Sequence, residues 1–440
     1  MSVRIFDSSS YVPRASEDVL ILCDNKHLLS NKLEMALNCV GIDAANNTLA
    51  GRVVDKLSPG TDNGAAASIA VMTGESVRNC SFGVLPTACS RMNSPARPHA
   101  IATLVGANKT NTVVLIPTTN DHVFAQVSAV SRQFHTFALT KSKKSADTKI
   151  EIPADETDIH IIVVFPTSEP GNVDLLNQLA VICDDIRLCA HLVEMPPNLL
   201  NCKTYVEEAR KVHARIVSTL NSNTKIPATA TIEVIQGHDL DARGFGGLWG
   251  VGKASDNLPA LVILSYIPTN PTTEKSICMV GKGIVYDTGG LSIKVPPNMA
   301  GMKADMGGSA GVLGGFDAIA RSDTCTVPVH ALLCIAENAV SNEATRPDDI
   351  HTLYSGKTVE VNNTDADGVA YAARHLNPSH IMNMATLTGA QLISTGKRFG
   401  SIYCNDDTLE GVAITAGKFS GDLVHPLPYC PEFFRAEFKS

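Results

Sequence analysis

From about residue 228 onward the chain alternates short apolar runs with segments of helical period, and no other feature of the sequence constrains the fold as tightly. Thr231–Ile235, Ala260–Leu264, Ser276–Val285, Val327–Ile335, Thr358–Val361 and His380–Met384 read as strands, and Gly308–Arg321 and Gly368–Leu376 as helices. Such alternation favours a mixed or parallel sheet with helices on both faces. Ligands of these sheets collect at the carboxyl ends of the strands, so the residues just past each run are where chemistry is expected.

Residues 1–168 read as a smaller α/β domain of their own. Asp18–Cys23, Thr112–Pro117 and Ile159–Phe165 are apolar runs bounded by turn formers, the pattern of strands buried on both faces. Val123–Phe137 fits an intervening helix. Nothing here has catalytic spacing, which leaves this domain a structural or assembly role. Pro166–Asn172 is dense in turn formers and reads as a linker. A long helix follows, with Leu175, Leu176, Leu179, Ile182, Ile186 and Leu192 largely at three- and four-residue steps, and Pro196-Pro197 stops it. The second domain occupies residues 169–440.

Charge and cysteine usage exclude several classes. A formal net charge of −8 with no Lys/Arg stripe argues against a nucleic-acid surface, and the densest basic run, Lys141, Lys143 and Lys144, reads as a solvated loop. The twelve cysteines stand singly with no C-x-x-C spacing, which suits reduced thiols better than a disulfide framework or a zinc knuckle. Met1–Asp7 lacks the apolar core of a signal peptide, and no window approaches about eighteen apolar residues, so neither export nor a membrane span is expected. The expected location is cytoplasmic.

Two clusters carry chemistry-bearing side chains on Gly-flanked turns. The first runs from Gly281-Lys282-Gly283 through Asp287-Thr288-Gly289-Gly290 to Lys294 and Asp305; the second is Asn362–Val369, with Asp365 and Asp367. Hard divalent cations take carboxylate oxygens, and paired cations need carboxylates that bridge. The plain alternative is that Asp287 caps a turn and both lysines are solvated. Lys282 weighs against it, because a lysine inside an apolar strand must snorkel, pair with a carboxylate, or become a neutral metal ligand. A rival nucleotide site is offered by Gly247–Lys253, which has the G-x-x-x-x-G-K spacing of a phosphate loop. Residue 254 is alanine where that loop needs Ser or Thr, and Asp239–Gly244 do not read as the preceding strand.

Gly281–Lys294, Met302–Gly308, Asn363–Ala366 and Met384–Ala390 together resemble the core signature of the leucine (cytosol) aminopeptidases. Gly244–Gly247, Arg346–Ile350 and Asp422–Leu427 are similar to the branch described as probable aminopeptidase-like. The resemblance covers about residues 170–440 and is much weaker over the N-terminal domain. It implies a metal-dependent exopeptidase with a C-terminal α/β metallopeptidase domain, peptide substrates, two divalent ions (Zn²⁺, Mn²⁺ or Mg²⁺) and a homo-oligomer, a hexamer in the family. Carried over position by position, Lys282, Asp287 and Asp305 would hold one ion, and Asp287 with Asp365 the other. A water between the ions would be the nucleophile, and Lys294 would stabilise charge on the scissile carbonyl oxygen. Met302, Asn363, Thr386 and Gly389 would line the pocket for the N-terminal residue of the substrate.

The chain departs from the family pattern in two places. The family reads N-T-D-A-E-G-R, then about four apolar residues, then D-G-V, whereas here Ala366 is followed at once by Asp367-Gly368-Val369. Substitution would make Asp367 stand for the glutamate and Val369 for the arginine. Deletion of about seven residues is preferred, because Asp367–Ala372 match the downstream segment in order. The glutamate would bridge both ions and the arginine would orient the bicarbonate that shuttles the proton. The chain also stops at Ser440 where the family continues, so the C-terminal domain is expected to be truncated. These departures keep a second function in view: an inactive member, pseudoenzyme or splice form, acting as a binding or assembly subunit.

Overall fold

The computed structural model describes residues 3–13, 17–73, 76–108, 110–134, 136, 158–167, 169, 171–222, 224–360 and 367–435. They divide into two compact units, Met1–Asp184 with Thr388–Lys439, and Asp185–Leu387. Lys141, Lys143 and Lys144 lie outside the described residues, as do Asn363 and Asp365.

The first unit is built on β1 (Val3–Asp7), β2 (Val19–Cys23), β3 (Ala65–Thr73), β4 (Ser76–Val84), β5 (Thr112–Ile116) and β6 (Ile159–Val163), in the order β1-β6-β5-β2-β4-β3. All pairings are parallel except the β3–β4 edge. Every residue of β2, β5 and β6 is buried, so the continuous apolar runs do mark strands covered on both faces. Helices α1 (Lys26–Cys39) and α2 (Asn47–Lys56) cover one face, and α3 (Pro98–Asn108) and α4 (Val123–Ser131) the other. The helix expected to reach Phe137 ends at Ser131, where the buried Ser131 hydroxyl donates to the Ser128 carbonyl and the chain turns.

Asn172 opens α5 (Asn172–Glu194), its side chain donating to the Thr167 carbonyl at 3.0 Å, and the two units divide within this helix. The helix ends just before Pro196-Pro197, as the sequence requires.

The second unit adds α6 (Cys202–Leu220), whose start is fixed by reciprocal hydrogen bonds between Asn201 and Thr204. Next come β7 (Ala228–Gln236), α7 (His238–Ala242), α8 (Gly246–Gly252), β8 (Ala260–Pro268) and β9 (Ser276–Asp287). After them follow α9 (Gly307–Arg321), β10 (Val329–Asn338), β11 (Ile350–Thr352), β12 (Thr358–Glu360), α10 (Asp367–His375) and β13 (Pro378–Met384). The sheet order is β13-β9-β10-β8-β7. β13, β9 and β10 run parallel, while β8 is antiparallel to β10 and to β7. The sheet is therefore mixed. α6 and α9 cover one face, and α7, α8 and α10 the other. Arg321 bridges Asp317 at 3.0 Å and Asp185 at 3.2 Å, tying α9 to α5 within this unit.

Residues 388–435 belong to the first unit, with α11 (Ala390–Ser394), β14 (Gly400–Ile402), α12 (Asp407–Ser420) and β15 (Val424–Pro426). Phe419 of α12 packs on Phe124 of α4, ring centroids 5.3 Å apart. Among the described residues no helix is long and apolar enough to cross a membrane.

Candidate active site

β9 is the backbone of the site, and its glycines explain how. The first turn of α9 lies directly on the strand, so a Cβ at Gly281 would sit 2.4 Å from the Ser309 Cα. On the neighbouring strand, a Cβ at Gly283 would meet the Cys334 carbonyl oxygen at 2.8 Å. Lys282, between them, is held 7% exposed, and its ammonium pairs with Asp305 Oδ2 at 3.1 Å. Of the three fates open to a lysine in an apolar strand, the structure takes ion pairing. Asp305 closes the short 3-10 turn Met302–Ala304, its N–H donating to the Met302 carbonyl.

Thr386, two residues past the end of β13, donates its hydroxyl to Asp305 Oδ1 at 2.8 Å, and its carbonyl oxygen lies 3.5 Å from the Lys282 ammonium. Burial pushes the Asp305 carboxyl above the ordinary carboxylate range, and the charge of Asp287 adds to the rise. Lys282 and Thr386 counter it without cancelling it.

Asp287 ends β9 and is braced differently. Lys294 pairs with its Oδ2 at 2.9 Å, while the Gly289 N–H and the Asn338 side-chain amide donate to Oδ1 at 2.9 and 2.8 Å. Burial alone would raise this carboxyl; the hydrogen bonds from Lys294, Gly289 and Asn338, with the Lys294 charge, hold it below its usual value. Gly289, at φ +85°, makes the turn that returns the chain to Asp287. The two lysines are unlike: the Lys294 side chain is 32% exposed against 7% for Lys282.

Asn338 was not singled out from sequence. A register shift after Ala336 sets it opposite Asp287 on β10, and its carbonyl accepts both the N–H and the hydroxyl of Thr288. The available signal was its place just past an apolar run, where a sheet of this kind presents its functional side chains.

The structure thus brings together Lys282, Asp287, Lys294, Asp305 and Thr386 at the carboxyl ends of parallel strands, with Met302 in the turn leading to Asp305. Asn363 and Asp365 are outside the described residues, and Asp367 is described only as the backbone that opens α10. Gly389 falls in the first unit, as the N-cap of α11. Among the described residues no group of three or more His, Cys, Asp or Glu is placed to hold a metal.

The phosphate-loop reading is overturned. Gly247–Lys253 is not a loop after a strand but lies on α8 and its C-cap, where the Trp249 and Lys253 N–H groups donate to carbonyls of the preceding turn. β7 ends at Gln236, and α7 intervenes. Backbone N–H groups committed to a helix cannot cradle a phosphate.

Comparison with known proteins agrees with the geometry. The catalytic domain of the cytosol aminopeptidase family matches residues 187–440, and a domain described as M17 aminopeptidase N-terminal domain 2 matches residues 17–144. The human protein named probable aminopeptidase NPEPL1 is 42% identical over 369 residues, 81% of this chain and 66% of that protein. Leucine aminopeptidase 1 of Caenorhabditis elegans is 37% identical over 373 residues, 81% of this chain and 69% of that protein. The solved structure of leucyl aminopeptidase from Leishmania major in complex with actinonin superposes with a TM-score of 0.85 at 30% identity, covering 100% of this chain and 82% of that one. The class is therefore the two-domain α/β aminopeptidase fold, with a mixed-sheet catalytic domain following an N-terminal α/β domain. The chain belongs to the cytosol aminopeptidase family. It spans about two thirds of the length of the curated relatives it matches.

Proposed function

We propose that this chain is a metal-dependent aminopeptidase that releases N-terminal residues such as leucine from peptides. The observation that carries the reading is the pair of Lys–Asp units set by β9, one buried and one partly exposed. Their donor chemistry fits a divalent cation: Asp287 and Asp305 are hard oxygen ligands close enough to feel each other's charge, and both already face cationic groups. One ion would be held by Lys282, Asp287 and Asp305, and a second by Asp287 with Asp365 and Asp367. Lys282 would have to be neutral to act as a ligand. When bound, such ions supply Lewis acidity, polarising a carbonyl and acidifying water.

The protein's own groups do the rest. Lys294, the more exposed ammonium, is the cation that a substrate carbonyl can reach, and it would stabilise the oxygen as negative charge develops there. Asn338 and the Gly289 N–H fix the Asp287 carboxylate, and Thr386 fixes that of Asp305. Met302, Asn363 and Thr386 would receive the substrate's N-terminal residue. The domain boundary at 168/169, Zn²⁺ or Mn²⁺ as the metal, a homo-hexameric assembly and a cytoplasmic location complete the proposal. The names of the relatives, leucine aminopeptidases among them, support it.

The test is release of leucine from leucyl-amide by the purified protein with Mn²⁺ or Zn²⁺, with a chelator as control. Chelator-sensitive turnover that falls by about 10²-fold or more in Lys294→Ala is the expected result. A folded sample without turnover would refute it.

A further inference from the structure

A cavity of about 740 Å³ opens in the second unit between α7–α8 and the β11–β12 hairpin, with Arg374 of α10 in its wall. None of the residues of the Lys–Asp cluster lines it. Its charge runs against that of the chain: Arg243, Lys253 and Arg374 face it, with Asp241 as the one lining carboxylate among the described residues, in a protein of net charge −8. Much of that positive charge is uncompensated. The Arg374 guanidinium donates to the neutral carbonyls of Tyr354 and Ser355, at 2.5 and 2.7 Å. The Lys253 ammonium makes no ion pair or side-chain hydrogen bond among the described residues, and only Arg243 has a carboxylate partner, the half-exposed Glu233 at 3.1 Å.

The walls pack closely. A Cβ at Gly246 would lie 2.2 Å from the Thr352 carbonyl oxygen, and one at Gly250 would lie 2.6 Å from the His351 ring. Glycine at both positions lets the hairpin seat directly on α8. Trp249 and Tyr354 complete the lining; Tyr354 stacks on Phe245 with centroids 4.3 Å apart and carries the Arg374 guanidinium 5.6 Å from its ring centroid.

Three cations beside aromatic faces, in a space of this size, suit a planar ring that carries phosphate groups. We propose that this cavity binds a nucleoside phosphate, gripped at its phosphates by Lys253, Arg243 and Arg374 and at its base by Trp249. Lys253 thereby contacts phosphate from the end of a helix rather than from the loop that its sequence spacing suggested. Binding here is independent of the peptidase reading, because it requires neither the metal nor turnover.

Trp249 is the single tryptophan of the chain, so its fluorescence reports this cavity directly. ADP, adenosine and inorganic phosphate are titrated separately into the full chain, with calorimetry as a second readout and a chelator present. The expected result is saturable binding of ADP, weakened about tenfold or more in Lys253→Gln, weakened by raised salt, and stronger than that of either fragment. Lys253→Gln alters a partly exposed helix C-cap and should leave the fold intact; Arg243→Gln is the second variant and should weaken ADP in the same direction. Absence of saturable binding, affinity unchanged in both variants, or phosphate binding as tightly as ADP would each overturn the assignment.

Discussion

Asp24 offers the sharpest stability prediction, because it concentrates charge where the first unit is driest. It follows β2, the buried central strand, with its carboxylate fully enclosed. The Thr118 N–H and His122 Nδ1 reach Oδ2, both at 2.7 Å, while Gln126 donates to Oδ1 at 2.6 Å and Arg97 lies 3.5 Å from the same oxygen. Burial alone would raise this carboxyl. Hydrogen bonds from His122 and Thr118, with the His122 charge, outweigh it and hold the group below its ordinary range. Asp24→Asn keeps the shape but removes the charge, and it turns an amide toward groups that themselves donate. Hydrogen bonds to a charged group contribute about 1.5–3 kcal/mol each, and breaking a buried ionic set by one member costs about 3–5 kcal/mol, so a loss of about 3–5 kcal/mol is expected at pH 7.

The sign of its pH dependence follows from the depressed value. A carboxyl whose folded pKa lies below its unfolded one, about 3.9, gives its full stabilisation above that unfolded value and loses it as pH falls through the folded one. The gap between wild type and variant should therefore close on acidification below about pH 4, the unfolded carboxyl value. Urea titration followed by far-UV circular dichroism measures it, since the only tryptophan lies in the other unit. A loss under about 1 kcal/mol, or a gap that persists undiminished at pH 3, would refute the reasoning.

Three further substitutions probe the second unit. Lys282→Met strands the buried Asp305 carboxylate and should cost about 3 kcal/mol in urea titrations followed by Trp249; Lys282→Met with Asp305→Leu should recover most of it, and no recovery would count against a buried pair. Asn338→Ala frees the Asp287 carboxylate on one side and should weaken metal-dependent leucyl-amide turnover about 10–100-fold with little change in melting temperature; unchanged kinetics would remove Asn338 from the site. Gly281→Ala places a methyl group 2.4 Å from the Ser309 Cα, so α9 must shift, and thermal unfolding should show a loss of about 1–3 kcal/mol.

The strands were legible because each is a run of apolar residues long enough to be buried, and β7, β8, β9, β10 and β13 all fall on runs readable from sequence. The β3–β4 hairpin is not legible from sequence, being made of mixed polar and small residues whose structure depends on the sheet they join, whereas α1 carries Leu29, Leu33 and Leu37 at helical spacing. Lys282, Asp287, Lys294 and Asp305 were legible as chemistry, since charge inside an apolar strand or on a glycine turn demands a reason. Their partnerships were not: Asn338 was not singled out, and Thr386, expected in the substrate pocket, also bonds Asp305; both reach the carboxylates through the fold of the sheet, which local sequence does not carry. Gly247–Lys253 failed for the converse reason. Its spacing is right, but a phosphate loop needs a strand before it, and α7 is there instead.

Near Ala366 the family pattern and this chain part company, and helix geometry separates the consequence for the fold from that for chemistry. Seven residues are nearly two helical turns, about 10.5 Å of length but only about 20° of phase. α10 should then still face the sheet, and it does: Ala372 is fully buried, Val369, Tyr371 and Leu376 pack around it, and a Cβ at Gly368 would meet Cys334 Sγ at 2.5 Å. The same phase rule predicts that inserting Glu-Gly-Arg and four apolar residues after Ala366 will be tolerated by the fold. If the family's glutamate and arginine are what the segment lacks, the insertion should tighten Mn²⁺ binding in calorimetry and raise turnover of leucyl-amide by about 10²–10⁴-fold, the usual range for acid–base assistance. A folded insertion variant with unchanged metal affinity and unchanged turnover would refute that assignment, and would leave Lys282, Asp287, Lys294 and Asp305 to account for whatever activity the chain has.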